Sequence, residues 1–428
     1  MNSQSAEGIS IAVDQNEYLA EGSDTVHAIV TVTATGDLVA AAPPAPRVEI
    51  LVIDCSSSMT GERFQEARKA TLAALDVLPD GVEFAIVAGT EVASHIYPGA
   101  PRTTPANRAS RAAARDALST LRAYGGTAMS TWLAAARELA QQHPTSIAHA
   151  ILLTDGKNEG ETRVELDRQV ERAKGVFSCD CFGVGSDWNP EELQHIAGAL
   201  FGRAEIAKKP KELAAHFAAT MQSSMAKTIP DLTLRVWIPT GAEIRSIRQV
   251  APTIEDFGQR RVDSGPRTGD YALGAWGAED REYELVVRVE PAPVGREKLA
   301  ARVSVLAEDQ MLGEGQVKAK WTDDLTLSTQ ISKRVAHYTG QAELAQVIQE
   351  GLAARADKDM ATATAKLQRA VELAKDSGHE GTAKLLRDVV DVDERTGTVK
   401  LRQNVDPADV MALGLRSTKT ARLGKDPK

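Results

Sequence analysis

The stretch Arg47–Phe64, RVEILVIDCSSSMTGERF, decides the fold. An apolar run, Val48 to Ile53, stops at Asp54; the hydroxyls of Ser56, Ser57 and Ser58 follow, and then a helix begins. Phe64, Ala67, Thr71, Ala74 and Leu78 fall on one face of that helix. A buried strand that ends on a carboxylate and turns into an amphipathic helix is the opening of a βα unit, and the pattern repeats as far as Met225. Strands are predicted at 48–53, 82–88, 93–97, 149–154, 176–184 and 203–206. Helices are predicted at 63–77, 107–122, 129–142, 162–174, 190–199 and 211–225. Continuous apolar strands alternating with helices imply an α/β, doubly wound, mostly parallel six-stranded sheet covered on both faces.

Outside this region the period changes. Residues 9–13 and 24–33 read as strands, and in the second Val26, Ala28, Val30 and Val32 alternate with Thr25, His27, Ile29, Thr31 and Thr33. AAAPPAPR, Ala40 to Arg47, reads as a linker. After Thr228 the period of two returns: Leu232, Leu234, Val236 and Ile238 share one face, as do Tyr283, Leu285, Val287 and Val289, and Leu299, Ala301, Val303 and Val305. Two isolated strands cannot bury an apolar face alone. Residues 1–42 are therefore expected to complete one antiparallel β-sandwich with 228–325, with the α/β domain, 43–227, inserted between them. Helical stripes (Leu344, Val347, Ile348, Leu352; Met360, Ala363, Leu367, Ala370) define a C-terminal helical bundle, 326–395, expected to dock on one of the other domains. Residues 396–428 are basic and read as a flexible tail.

A net charge of −9 opposes binding to nucleic acid, and 4% aromatic residues are too sparse for a base-stacking platform. No segment approaches the roughly 20 apolar residues of a membrane span. MNSQSAEGIS lacks the basic start and apolar stretch of a signal peptide, and three cysteines, Cys55, Cys179 and Cys181, fit a reducing compartment. A cytoplasmic location is expected. Cys179 and Cys181 read as small buried residues. His149 and His95 have no evident partner in the sequence and read as ordinary polar contacts.

In an open parallel sheet, ligands bind beyond the carboxyl ends of the strands. Three polar clusters fall there: Asp54, Ser56 and Ser58; YGGTAMS, Tyr124 to Ser130, offering Thr127; and LLTDG, which ends a strand on Thr154 and Asp155. On its own, the first also fits a helix N-cap at Ser58 or Thr60. Together they supply two carboxylates and three hydroxyls without histidine or thiolate, a set suited to Mg²⁺, Mn²⁺ or Ca²⁺ and not to zinc.

These three segments, DCSSS, GGT at 125–127 and TDG at 154–156, make residues 48–225 resemble a von Willebrand factor type A domain with a metal-ion-dependent adhesion site. The flanking domains more loosely resemble multidomain bacterial, especially actinobacterial cytosolic, type A proteins. The resemblance implies that Ser56, Ser58 and Thr127 bind a divalent cation directly, Asp54 and Asp155 mostly through water, and that a protein partner presents an Asp or Glu to it. It implies a binding module and not an enzyme. Two alternatives stand beside it: a Mg²⁺-dependent hydrolase or phosphatase with Asp54 as nucleophile, and a structural scaffold with a vestigial metal site. A haloacid-dehalogenase-type phosphatase needs a second aspartate two residues after the first, where this chain has Ser56. A GxSxG nucleophile elbow and a Walker A phosphate loop are both absent from the sequence.

Overall fold

The computed structural model describes residues 8–36, 45–393, 398–402 and 404–423. The chain forms two compact units: Pro43–Pro230 with Asp406–Leu415, and Met1–Ala42 with Asp231–Val405 and Arg416–Lys428.

The first unit is built on a sheet with strand order Ala204–Ala207, Ser178–Val184, Ile147–Thr154, Arg47–Asp54, Glu83–Gly89, Ser94–Tyr97. All pairs along it are parallel except the last. The six expected strands form this continuous path, and a seventh, Thr104–Pro105, pairs with Glu83–Gly89. Two residues with no apolar alternation gave no period to detect. Arg47–Asp54 lies at the centre because the chain first winds to one side of it and then returns to the other. That reversal opens a crevice at the carboxyl ends of the strands. The helix Glu62–Val77 buries Phe64, Ala67, Thr71 and Ala74 against one face, and Met129–Gln141 buries Trp132, Leu133 and Ala136 against the other. Asn107 and Thr162 start their helices with capping boxes, each side chain accepting from the amide three residues on.

The second unit is an antiparallel sandwich with helices. One sheet runs Ile9–Gln15, Thr25–Ala34, Asp280–Arg288, Glu243–Ala251, Glu255–Asp256; the other runs Arg261–Gly265, Thr268–Trp276, Ile229–Trp237, Glu297–Ala307, Gln310–Thr322, Leu19–Ala20. The N-terminal strand Thr25–Ala34 pairs antiparallel with Asp280–Arg288, Val30 opposite Tyr283, which makes the α/β unit an insertion. Strand Glu243–Ala251 has no legible alternation because two register shifts, at Ile244/Ser246 and Gln249/Ala251, break its period of two.

The helical segment is no domain of its own. Helix Lys333–Ala356 lays Val335 and Tyr338 on Ile29, Val250 and Ala251. Ile29 points away from the sandwich core, yet is fully buried because this helix covers it. Deleting residues 332–428 is therefore expected to lower the thermal midpoint of this unit and raise binding of a hydrophobic dye. An unchanged midpoint with a monodisperse product would show the helices to be dispensable.

The expectation of a flexible tail over 396–428 is corrected. Val399–Leu401 pairs with Val390–Val392, and Pro407–Arg416 is a helix that buries Ala408, Ala412, Leu413 and Leu415. Further on, Thr418 accepts from the Ile254 amide at 2.8 Å. The basic residues drew the reading towards a solvated end, whereas the apolar side chains between them carry an amphipathic helix. Residues 396, 397, 403 and 424–428 of that stretch lie outside the described part, as do 40–44 of the expected linker. Among the described residues, no helix is long and apolar enough to cross a membrane.

Candidate metal centre

Asp54 is the last residue of the central strand and fully buried. Its Oδ1 accepts the Ser56 amide at 2.7 Å and its Oδ2 accepts the Thr154 hydroxyl at 2.6 Å. Burial pushes the Asp54 pKa up, the nearby Asp155 charge adds to this, and the hydrogen bonds from Ser56 and Thr154 pull against it. Asp155, also fully buried, follows the neighbouring strand Ile147–Thr154. Its Oδ1 accepts from Ser58 Oγ at 2.7 Å, and Ser58 Oγ lies 2.9 Å from Ser56 Oγ.

The third segment is tied to the first by backbone bonds. The Ser57 amide donates to the Gly125 carbonyl at 2.9 Å, and the Tyr124 amide to the Cys55 carbonyl at 2.6 Å. Thr127 is held from the far side, where its carbonyl accepts the Gly160 amide at 2.8 Å. The five residues singled out in the sequence thus meet at one place. Their hydroxyls converge: a Cβ at Gly156 would lie 3.1 Å from Ser58 Oγ, 3.5 Å from Thr127 Oγ1 and 3.9 Å from Ser56 Oγ. Glycine at this position keeps that space clear. A cleft of about 510 Å³ opens over it, lined by Ser56, Ser58, Glu91, Thr127, Lys157 and Asp187 among others. Three neutral oxygens in front and two buried carboxylates behind form a donor set that fits a hard divalent cation.

Two features of this edge are absent from the sequence reading. Arg63 donates from Nη1 to Asp155 Oδ2 at 2.8 Å and from Nη2 to Asp187 Oδ2 at 3.1 Å. The Glu91 carboxylate folds over the glycine loop, its Oε2 2.5 Å from where a Cβ at Gly125 would stand. Neither belongs to a recurring motif, and both depend on loops meeting in space. Cys55, between the site residues, is buried and its thiol is pushed up to about 12 by burial and the Asp54 charge, so it is no thiolate nucleophile.

At the opposite, amino-terminal end of the strands, the partnerless reading of His149 is corrected. Its Nδ1 lies 2.7 Å from Glu49 Oε2 and its Nε2 3.0 Å from Asp180 Oδ2. Glu49 sits inside the run read as apolar and is fully buried; Ser224 Oγ donates to its other oxygen at 2.8 Å. Cys179 and Cys181 are small buried residues, as expected.

A family model described as von Willebrand factor type A domain matches residues 49–206, and one described as von Willebrand factor type A C-terminal domain matches residues 372–417. The ArnB paralog VWA2 from Sulfolobus acidocaldarius has a TM-score of 0.57 at 12% identity, over 96% of this chain and 98% of that one, a likeness of fold alone. An uncharacterized protein of Synechocystis is 27% identical over 215 residues, 48% of this chain and 49% of that protein, so the chain spans about half of that relative's length. The solved structure of a von Willebrand factor type A protein from Catenulispora acidiphila is 48% identical, covers 99% of each chain and superposes with a TM-score of 0.92. That likeness extends over nearly the whole chain, which belongs to the von Willebrand factor type A family.

Proposed function

We propose that the α/β unit is a cytoplasmic, metal-dependent protein-binding module, non-catalytic, that takes an Asp or Glu side chain of a partner protein. The observation that carries this reading is the convergence of Ser56, Ser58 and Thr127 hydroxyls on the open space above Gly156. A divalent cation, Mg²⁺ first and Mn²⁺ or Ca²⁺ in its place, supplies a Lewis-acidic acceptor for a carboxylate. Ser56, Ser58 and Thr127 hold it directly, and Asp54 and Asp155 hold it mostly through water. The neutral hydroxyls leave the positive charge largely unquenched on the cleft side. Both aspartates are held back by bonds within the protein, Asp54 to Ser56 and Thr154, Asp155 to Ser58 and Arg63. The same bonds count against Asp54 as a nucleophile, since a fully buried carboxylate with both oxygens engaged offers no line of attack.

Calorimetric titration of the whole chain with Mg²⁺ and Mn²⁺ tests the metal, and capture of partners from native extract with Mg²⁺ or with EDTA tests the consequence. Ser56→Ala and Asp155→Ala are each expected to weaken metal binding by about tenfold or more. Both should keep the folded far-UV spectrum and abolish the Mg²⁺-dependent capture. Full capture in EDTA, with the metal shown to be absent, would sink the proposal.

A further inference from the structure

We propose that Arg63 is a built-in counter-cation of the metal site, holding its divalent-ion affinity down so that occupancy stays reversible. The inference rests on the metal reading above and adds a regulating residue to it. Arg63 stands in the first turn of helix Glu62–Val77, directly after the serine loop. Its side chain turns back across the edge of the sheet to reach loops that follow two other strands. One is the loop of Asp155, fully buried; the other is that of Asp187, whose side chain is 64% exposed. Gly185, with φ +71, gives it passage: a Cβ there would stand 3.4 Å from Arg63 Nη2.

Asp155 is thereby divided. One oxygen takes the hydroxyl of Ser58, a proposed metal ligand, and the other takes the guanidinium. A cation held by that hydroxyl shares its carboxylate with a fixed positive charge. At this partly buried edge, charges a few ångströms apart interact far more strongly than in bulk water. Arginine does not lose its proton in the physiological range, so the repulsion is permanent. Asp187 holds the guanidinium from outside and offsets part of its charge, which sets the repulsion without abolishing it. The surrounding cleft adds the acids Glu91 and Glu159 and the base Lys157, none of them within the Arg63 bonds.

The test is a titration of the full chain with Mn²⁺ alone, free metal being read by its electron paramagnetic resonance signal, for the wild type, Arg63→Gln, Arg63→Met and Arg63→Lys. Both neutral variants are expected to bind Mn²⁺ about tenfold tighter or more, and the lysine variant to stay within about threefold of the wild type. A residue that merely shapes the Asp155 loop would show the reverse, with weaker binding in all three. Unchanged or weaker binding in Arg63→Gln and Arg63→Met, alongside measurable binding by the wild type, overturns the role of Arg63 alone. Absence of Mn²⁺ binding in the wild type and every variant overturns the metal reading, and this inference with it. Thermal denaturation of each variant identifies any that is not folded, and the two neutral side chains give independent readings.

Discussion

Replacing His149 by alanine is expected to lower the stability of the α/β unit by about 3–5 kcal/mol, the range for breaking a buried ion pair from one side. The imidazole has carboxylates on both nitrogens, Glu49 at 2.7 Å and Asp180 at 3.0 Å. Carboxylates are acceptors, so both ring nitrogens donate and the ring is an imidazolium. Burial alone would lower its pKa, but the Glu49 charge and the hydrogen bonds the ring donates to both acids outweigh that and raise it to about 9. Glu49 and His149 are register neighbours on the two central parallel strands, and Glu49 also accepts from Ser224 on the helix Leu213–Met225. Arg47 extends the network by donating to the carbonyls of Ser224 and Lys227. Without the imidazolium, Glu49 is a fully buried carboxylate with its charge uncompensated by the ring.

The same network fixes a pH dependence. A histidine raised from 6.5 to about 9 binds its proton more tightly in the folded chain. Its contribution is fully present below pH 6.5 and is lost as the pH rises through 9. The loss amounts to about 3 kcal/mol. Denaturant midpoints measured between pH 6 and 10 should fall over this window in the wild type and fall much less in His149→Ala. A wild-type profile that is flat or rises over this window would show His149 to be neutral in the fold. The double change Glu49→Gln with His149→Gln should recover part of the single variant's loss, because the buried acid is neutralised along with its partner.

The α/β core and the five clustered site residues were legible because each is signalled locally. Val48–Ile53 is an apolar run broken only at Glu49, and DCSSS, GGT and TDG stand at fixed places after strands or before helices. What escaped was set by contacts distant in sequence. Glu49 reads as a lapse in an apolar strand until His149, one hundred residues on, is placed beside it. Arg63 reads as an ordinary helix residue until Asp155 and Asp187 are brought to its guanidinium. Ile29 reads as solvent-facing until the helix carrying Val335 and Tyr338 covers it. In Glu243–Ala251 the bulges erase the alternation itself, so no local reading could recover the strand.

Gly89→Ala is expected to cost about 3 kcal/mol, the upper end of ordinary overpacking, and to weaken the proposed metal binding as well. Gly89 ends the strand beside the central one, and its carbonyl accepts the Cys55 amide at 2.8 Å. The indole of Trp132 lies flat against it: a Cβ would fall 2.3–2.7 Å from three ring atoms. A rigid, fully buried ring cannot swing aside as a flexible side chain would, and its Nε1 is held by the Thr90 carbonyl at 2.7 Å. The strain therefore passes to the backbone. Trp132 sits in the first turns of helix Met129–Gln141, and the residue before that helix, Ala128, donates to the same Thr90 carbonyl at 3.1 Å. Thr127 comes immediately before, so moving the helix moves one of the three converging hydroxyls. Gly183 repeats the arrangement on the other flank of the central strand, with Trp188 Cε2 at 2.0 Å from its would-be Cβ. Pairing Gly89→Ala with Trp132→Leu tests the cause. A smaller side chain should make room for the methyl, so that Gly89→Ala costs much less in the Trp132→Leu background than alone, a coupling that double-mutant cycles measure directly. Strictly additive losses would mean that the strand end, and not the indole, resists the methyl group.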